Sequence, residues 1–553
     1  MIQEDGNMIE NGCSFRDVEI YNVYSELQTR DDIQRSQFLE QLDQTLKDLA
    51  DGKKAKDFEE NPATTLRKHL PVILRLSYDV PFPDVRETCA RIIQELEDKG
   101  VKVPRRRYAG PSSFISSKEL IPVETDDEEV YLHFADAFIC NGRVTNAKRL
   151  MSFHPLYLDS FMNTESFVMD GEGPLPFDWR YYIGILAAAR HQSSYLVNIC
   201  ENEFLLKNGD PMWLNGIDHA PKKLQNLMDL NKILAHKPWL ISLEHIQDLL
   251  KGPSADTWSV AELVHAIAIM VHYHCLAAFV YGCGINPEVD LDGGHTFVTP
   301  TVSDSSSNAE PTTPTSTVVN AFNDVHREQN STQTLLERMK KVEKDHEQEE
   351  ETSQEEVLRQ FHSIQNKELD DSKEITAVPD VAPTLDRYRK DRAFRYEDFA
   401  KREKNGNISP FRAQDFSWHK HGYSLIDRLY PGIGSLLDSK FKAIINLTYK
   451  TMGDTTDVDT TTFRLATWNY IHLIFGIFHD DYRYDEVNQL LYRPYKEYIK
   501  MVCCYPEKIS QLDYLNFLDL KHSEKVHINL LIFEARLQAE LLYFSRMLSL
   551  YMK

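Results

Sequence analysis

The chain has 553 residues, with 62 basic and 85 acidic side chains and a formal net charge of −23. That length predicts two or three domains, and 42% hydrophobic with 11% aromatic residues supplies enough apolar side chain to close more than one core. The acidic balance argues against broad nucleic-acid binding, since a surface that tracks phosphates needs clustered Lys and Arg to release counterions.

From the start, Met1-Ile2-Gln3-Glu4-Asp5 has neither the basic opening nor the apolar stretch of a secretory signal, so residency in the cytosol or nucleus is expected, with 1–15 disordered. Glycine is scarce, 22 residues against an average near 7%, and apolar residues recur at three-and-four spacing, which predicts an all-α fold. The first half, 16–285, reads as one helical domain. Its basic run Lys102 to Arg107 (KVPRRR) lies between acidic flanks and reads as a solvated linker. Val260, Leu263, Val264 and Ile267 mark a core helix beginning near Trp258 or Ser259. The apolar window Val260 to Ile285 contains Glu262, His265, His272 and His274, each costly in a bilayer, so no membrane span is expected. The three histidines do not share one helix face, and the eight cysteines show no CxxC pair or zinc-ligand spacing. Reduced, packed thiols follow, with no metal and no cofactor.

Between 286 and 385 the composition turns Ser/Thr/Pro-rich and then acidic. Ile285 to Leu385 holds 21 acidic and 8 basic residues, so −13 of the −23 resides there. It reads as a disordered linker in which Val357, Leu358, Phe361 and Ile364 mark a short helix able to dock. The second half, 386–553, ends in a long helix with Leu530, Phe533, Leu537, Leu541, Phe544, Leu548 and Tyr551 on one stripe. Laying Tyr182-Ile183 on Tyr470-Ile471 also places His191 on His479, a weak sign that the halves are duplicates.

Several strings, among them WRYYIGILAAARHQSSYLV (Trp179 to Val197), LAHKPWLI (Leu234 to Ile241), HGYSLIDRLYP (His421 to Pro431), WNYIHLIFGI (Trp468 to Ile477) and HSEKVHINLL (His522 to Leu531), resemble the sestrins. The resemblance covers nearly all of the chain outside the first 15 or so residues and the linker. It implies two helical halves, each similar to an alkylhydroperoxidase or carboxymuconolactone-decarboxylase subunit. It also implies a stress protein that restrains TOR signalling and, in some members, senses leucine.

The family's hydroperoxide reductase pattern is a cysteine, a tyrosine two residues on and a histidine five further; this chain has Ser193, Tyr195 and Cys200 there. A serine hydroxyl cannot supply the thiolate that attacks peroxide and passes through a sulfenic acid. The alternative function, an alkyl hydroperoxide reductase, would need another thiol such as Cys200, two turns along the same helix face; the competing reading makes Cys200 a buried, inert cysteine.

A free amino acid needs a cation for its carboxylate, an anion for its ammonium, hydroxyls and an apolar cup. By resemblance, Arg464 holds the carboxylate and Glu524 the ammonium. Thr448, Thr451 and Thr460 with Tyr449 form a lid, and His527 lies one helical step beyond Glu524. Phe463 stands where the family has leucine, and Leu518, or Phe517 if the gap is moved, replaces a tryptophan of the apolar floor. The competing reading makes Arg464 and Glu524 a structural ion pair. Asp480 and Asp481 match an acidic pair with which sestrins engage the GATOR complex. The partners implied are free leucine and GATOR components, with Rag GTPases as a further candidate. A helical scaffold with neither activity is the remaining alternative.

Overall fold

Ser259 caps the most apolar helix of the chain: its hydroxyl accepts the Glu262 N–H while the Glu262 carboxylate accepts the Ser259 N–H, so the helix starts at Val260. It runs Val260–Gly282, and every residue from Leu263 to Gly282 is buried. It is long and apolar enough to cross a membrane by composition, yet protein encloses it on all sides. A computed structural model describes residues 21–53, 61–252, 256–291, 332–346, 353–371, 383–405, 408–447 and 450–553.

The fold is all-α, as expected. The only strands among the described residues are two short ladders: Phe411–Arg412 parallel to Ile477–Phe478, and the hairpin Thr451–Met452 with Thr455–Thr456. Each half packs a shorter helix on a long one. Phe177–Arg190 packs on Val260–Gly282, and Thr461–Ile474 packs on the C-terminal helix His522–Tyr551. The two long helices then pack on each other, so the halves share one core. The C-terminal helix is therefore buried all round from Glu524 to Leu537 and not only along the expected stripe.

Charged side chains between the two long helices are paired, because an unpaired buried charge is costly. Glu540 accepts from Arg536 (2.9 Å) and contacts His274 (2.7 Å); Arg536 also donates to the carbonyls of Cys503 and Ala235 and to His191, each within 2.9 Å. Lys440 pairs with Glu534 at 2.8 Å, and Tyr157 donates to the same carboxylate. His265 sits against the Val168 carbonyl and Tyr430, and His272 between Phe161 and Phe533. The three histidines thus face different neighbours, and no group of metal-ligating side chains occurs among the described residues.

The span read as linker is structured wherever it is described. Residues 286–291 are built into the N-terminal core: Asn286 and Glu288 are buried, and the Asp290 carboxylate is held by Arg75 (2.9 Å) and Arg143 (3.3 Å). Thr332–His346 buries Leu335, Met339 and Val342 and packs on Asp485–Leu490. The docking helix is Gln354–Asp371, longer than expected, with Val357, Phe361 and Ile364 buried. Phe361 meets Phe478 and Tyr484 edge-on at 5.2 and 5.1 Å. A high acidic content did not prevent folding because each helix keeps one apolar face for the second half.

Burial pulls His272 down to about 3, below its ordinary 6.5. The unfolded chain therefore binds the extra proton first on acidification, so this histidine's contribution is complete above pH 6.5 and is lost as pH falls toward 3. His272→Phe, shaped for the same apolar nest, is expected to flatten the acid slope of urea-unfolding stability across that window by up to about 1.4 kcal/mol per pH unit.

Candidate functional site

Arg464 and Glu524, sixty positions apart, line one cavity. Arg464 stands on the first turn of Thr461–Ile474 and is 4% exposed. Its partners are neutral oxygens: the carbonyls of Ile445, Leu447 (3.0 Å) and Thr460 (3.2 Å), and the Thr461 hydroxyl (3.0 Å). Two of those carbonyls close the end of Ile433–Asn446, where last-turn oxygens lack helical donors and a cation is favoured. Burial pulls the guanidinium down to about 10, with only Asp459 opposing.

Glu524 stands on the first turn of the C-terminal helix and is 5% exposed. It accepts the Lys521 N–H (2.9 Å), and both oxygens lie 3.0 Å from the Gly453 N–H. Gly453 begins the turn of the Thr451–Thr456 hairpin with φ +62°, a conformation that favours glycine. A Cβ there would come 3.0 Å from Thr332 Cγ2, so the hairpin also abuts the Thr332–His346 helix. Among the described residues no ion pair joins Arg464 to Glu524.

His527, one helical step beyond Glu524, contacts the Ile444 carbonyl at 2.8 Å, and burial holds its ring well below the usual histidine range. Thr451, Thr460 and Phe463 also line the cavity, Phe463 stacking on Tyr495. Thr448 and Tyr449 lie outside the described residues. Leu518 is buried but does not line the cavity, and Phe517 stacks on Tyr498; the apolar wall is Met452, Leu520, Ile528 and Leu531. Ile528 and Leu531 follow Glu524 at four and seven, a helical spacing that would have identified them. The cavity measures about 20 Å³, room for one water.

The acidic pair divides. The Asp480 carboxylate is 1% exposed and bound to Arg412, with Oδ2 lacking a partner, whereas Asp481 is exposed. Beyond them Glu486 meets His346 at 2.5 Å.

With this geometry established, comparison with known proteins places the chain. The family described as "PA26 p53-induced protein (sestrin)" matches residues 110–552. Sestrin-1 of Xenopus laevis is 44% identical over 492 residues, covering 87% of this chain and all of that protein. Sestrin-1 of Macaca fascicularis is 47% identical, covering 82% and 93% respectively, and Sestrin-2 of Homo sapiens 45%, covering 81% and 92%. The chain belongs to the sestrin family.

In this sestrin the peroxide-pattern positions carry no activated thiol. Ser193 caps Ser194–Leu206 as its leading residue, and its hydroxyl is buried without a hydrogen-bond partner. Tyr195 donates to Glu288 at 3.0 Å. Cys200 is fully buried; burial pushes its thiol far up, and the hydrogen bond from Tyr273 only partly offsets this. Thiolate formation needs the opposite surroundings. Cys140 is the one exposed cysteine among the described residues. Brief alkylation of the native protein, read by peptide mass spectrometry, is expected to modify Cys140 while Cys200 stays protected until denaturant is added.

Proposed function

We propose that this sestrin is an intracellular sensor of free leucine. When leucine is scarce it binds the GATOR complex and restrains TOR signalling in the cytoplasm and nucleus, with Rag GTPases as further partners. The observation that carries the reading is Arg464: a buried cation with only neutral partners, sharing one cavity with a carboxylate it does not pair with. A zwitterion supplies what each lacks. Its carboxylate takes the guanidinium fork, and its ammonium takes Glu524 in place of the Gly453 N–H, exchanging hydrogen bonds in which one partner is charged for ion pairs in which both are.

A volume near 20 Å³ cannot admit an amino acid, so the Thr451–Thr456 hairpin must lift before the ligand enters. Its neighbours supply the coupling. Gly453 abuts Thr332 at one end of the Thr332–His346 helix, and His346 at the other end holds Glu486, just past the acidic pair. A ligand that moves the hairpin thereby biases the surface carrying Asp481, and by linkage partner and leucine weaken each other by one factor.

Saturating leucine at 100 times its dissociation constant is expected to raise stability by about 2.7 kcal/mol. Thermal unfolding checks it: Arg464→Ala and Glu524→Gln abolish the shift, Arg464→Lys loses at least about tenfold in affinity, and no shift at millimolar leucine removes the reading. In pull-downs without leucine, Asp481→Ala is expected to weaken GATOR capture directly. Asp480→Ala acts by freeing Arg412, so it also lowers thermal stability, and retention of full capture by Asp481→Ala would reject the assigned surface.

A further inference from the structure

A second cavity, about 390 Å³, lies in the N-terminal half and shares no lining residue with the amino-acid pocket. Its volume falls in the range of small-molecule sites. Four arginines line it, Arg86, Arg106, Arg107 and Arg149, against three carboxylates, Asp79, Glu124 and Glu288, in a chain whose net charge is −23. The basic run expected to be a solvated linker supplies two of them. The chain that follows the run is pinned where the Val260–Gly282 helix ends: Ser113 N–H donates to the Gly284 carbonyl (2.7 Å), Asn286 N–H to Pro111 (2.9 Å), and the Asn286 side chain to Gly110 (2.9 Å).

Two of the arginines are satisfied differently from the usual surface pair. Arg106 lies with its guanidinium 3.1 Å from the Tyr78 ring centre and makes no ion pair among the described residues. Arg149 donates to Asp79 at 2.8 Å, but its Nε is buried without an acceptor. Opposite in charge, Glu288 is 3% exposed; Oε1 accepts from the Asn146 N–H (2.6 Å) and Tyr195, and Oε2 has no partner. Burial raises the Glu288 carboxyl toward its neutral form, in which it donates to an oxygen. Arg86 is already held by the Val80 and Pro81 carbonyls and by Glu124. Stacked and under-satisfied guanidiniums around a roomy cavity are suited to oxyanions, which they grip in pairs of parallel hydrogen bonds.

We propose that this cavity binds a small organic anion through phosphate or carboxylate groups, with Arg106 as the entry contact and Arg149 as the inner one. The test titrates the full chain with inorganic phosphate and, separately, citrate at constant ionic strength against sodium chloride, by calorimetry and thermal shift. At least one probe is expected to bind with a sub-millimolar dissociation constant, and which one does so separates phosphate from carboxylate recognition. Arg106→Gln, at an exposed position where folding is not at stake, is expected to weaken that probe about tenfold. Lys102→Gln removes the same charge from the same loop outside the cavity and is expected to leave it unchanged. Binding of neither probe beyond chloride, no effect of Arg106→Gln, or equal losses in both variants would overturn the proposal.

Discussion

Everything in this molecule hangs on burying ionised side chains between two long helices. Arg536, Glu540, Lys440 and Glu534 are almost entirely removed from water, and His274, which burial holds toward its neutral form, lies against Glu540. Each ion costs several kcal/mol to desolvate, recovered only when the partner's geometry is right. A slip of one residue along His522–Tyr551 would carry Arg536 from the Cys503 and Ala235 carbonyls and His191, and Glu540 from His274, at once. The network therefore fixes the register of the C-terminal helix against Val260–Gly282. Three turns upstream on that helix, it fixes where Glu524 can stand.

Helix ends then do the work that an ion pair would otherwise do. Glu524 is held at a helix N-terminus, with backbone N–H groups of Lys521 and Gly453 around it. Arg464 is held by the C-terminal carbonyls of Ile433–Asn446. Each charge is stabilised by the partial charge of a helix end, so neither needs the other. This arrangement leaves two opposite charges in one cavity with capacity to spare, whereas a direct bridge between them would have filled the site with its own bond.

The sequence reading succeeded where a feature is local and failed where its meaning comes from a distant segment. The stripes Val260 to Ile267 and Leu530 to Leu548 are visible because helical periodicity is written into consecutive residues, and Val357, Phe361 and Ile364 betrayed a helix inside an acidic stretch for the same reason. Leu335, Met339 and Val342 have equally good spacing but were hidden by composition, which averages away a single apolar face. Asp480 looked like half of a surface pair; its burial depends on Arg412, 68 residues earlier. Leu518 is buried away from the cavity, and the irregular segment between Gln511–Asn516 and His522–Tyr551 puts Leu520 on it instead. The pairing of Arg464 and Glu524 with one pocket came from family resemblance alone, since no spacing rule connects residues on separate helices.

The halves differ in what their buried polar side chains are tied to. Around Tyr195, the hydroxyl goes to Glu288, and Glu288 also accepts the Asn146 N–H. The tyrosine of the peroxide pattern has become a tie that fastens 286–291 to the core, beside Asp290 with its two arginines. The cations of that interior are held in place: Arg143 pairs with Asp290, Arg536 with Glu540, and Arg190 donates to the carbonyls of Lys390, Asp391 and Phe394. Thiolate chemistry requires a nearby positive charge, and at Cys200 burial pushes the thiol the other way. Arg464 is likewise held by carbonyls, as Arg190 is, and differs in facing a cavity that a buried carboxylate, Glu524, also lines.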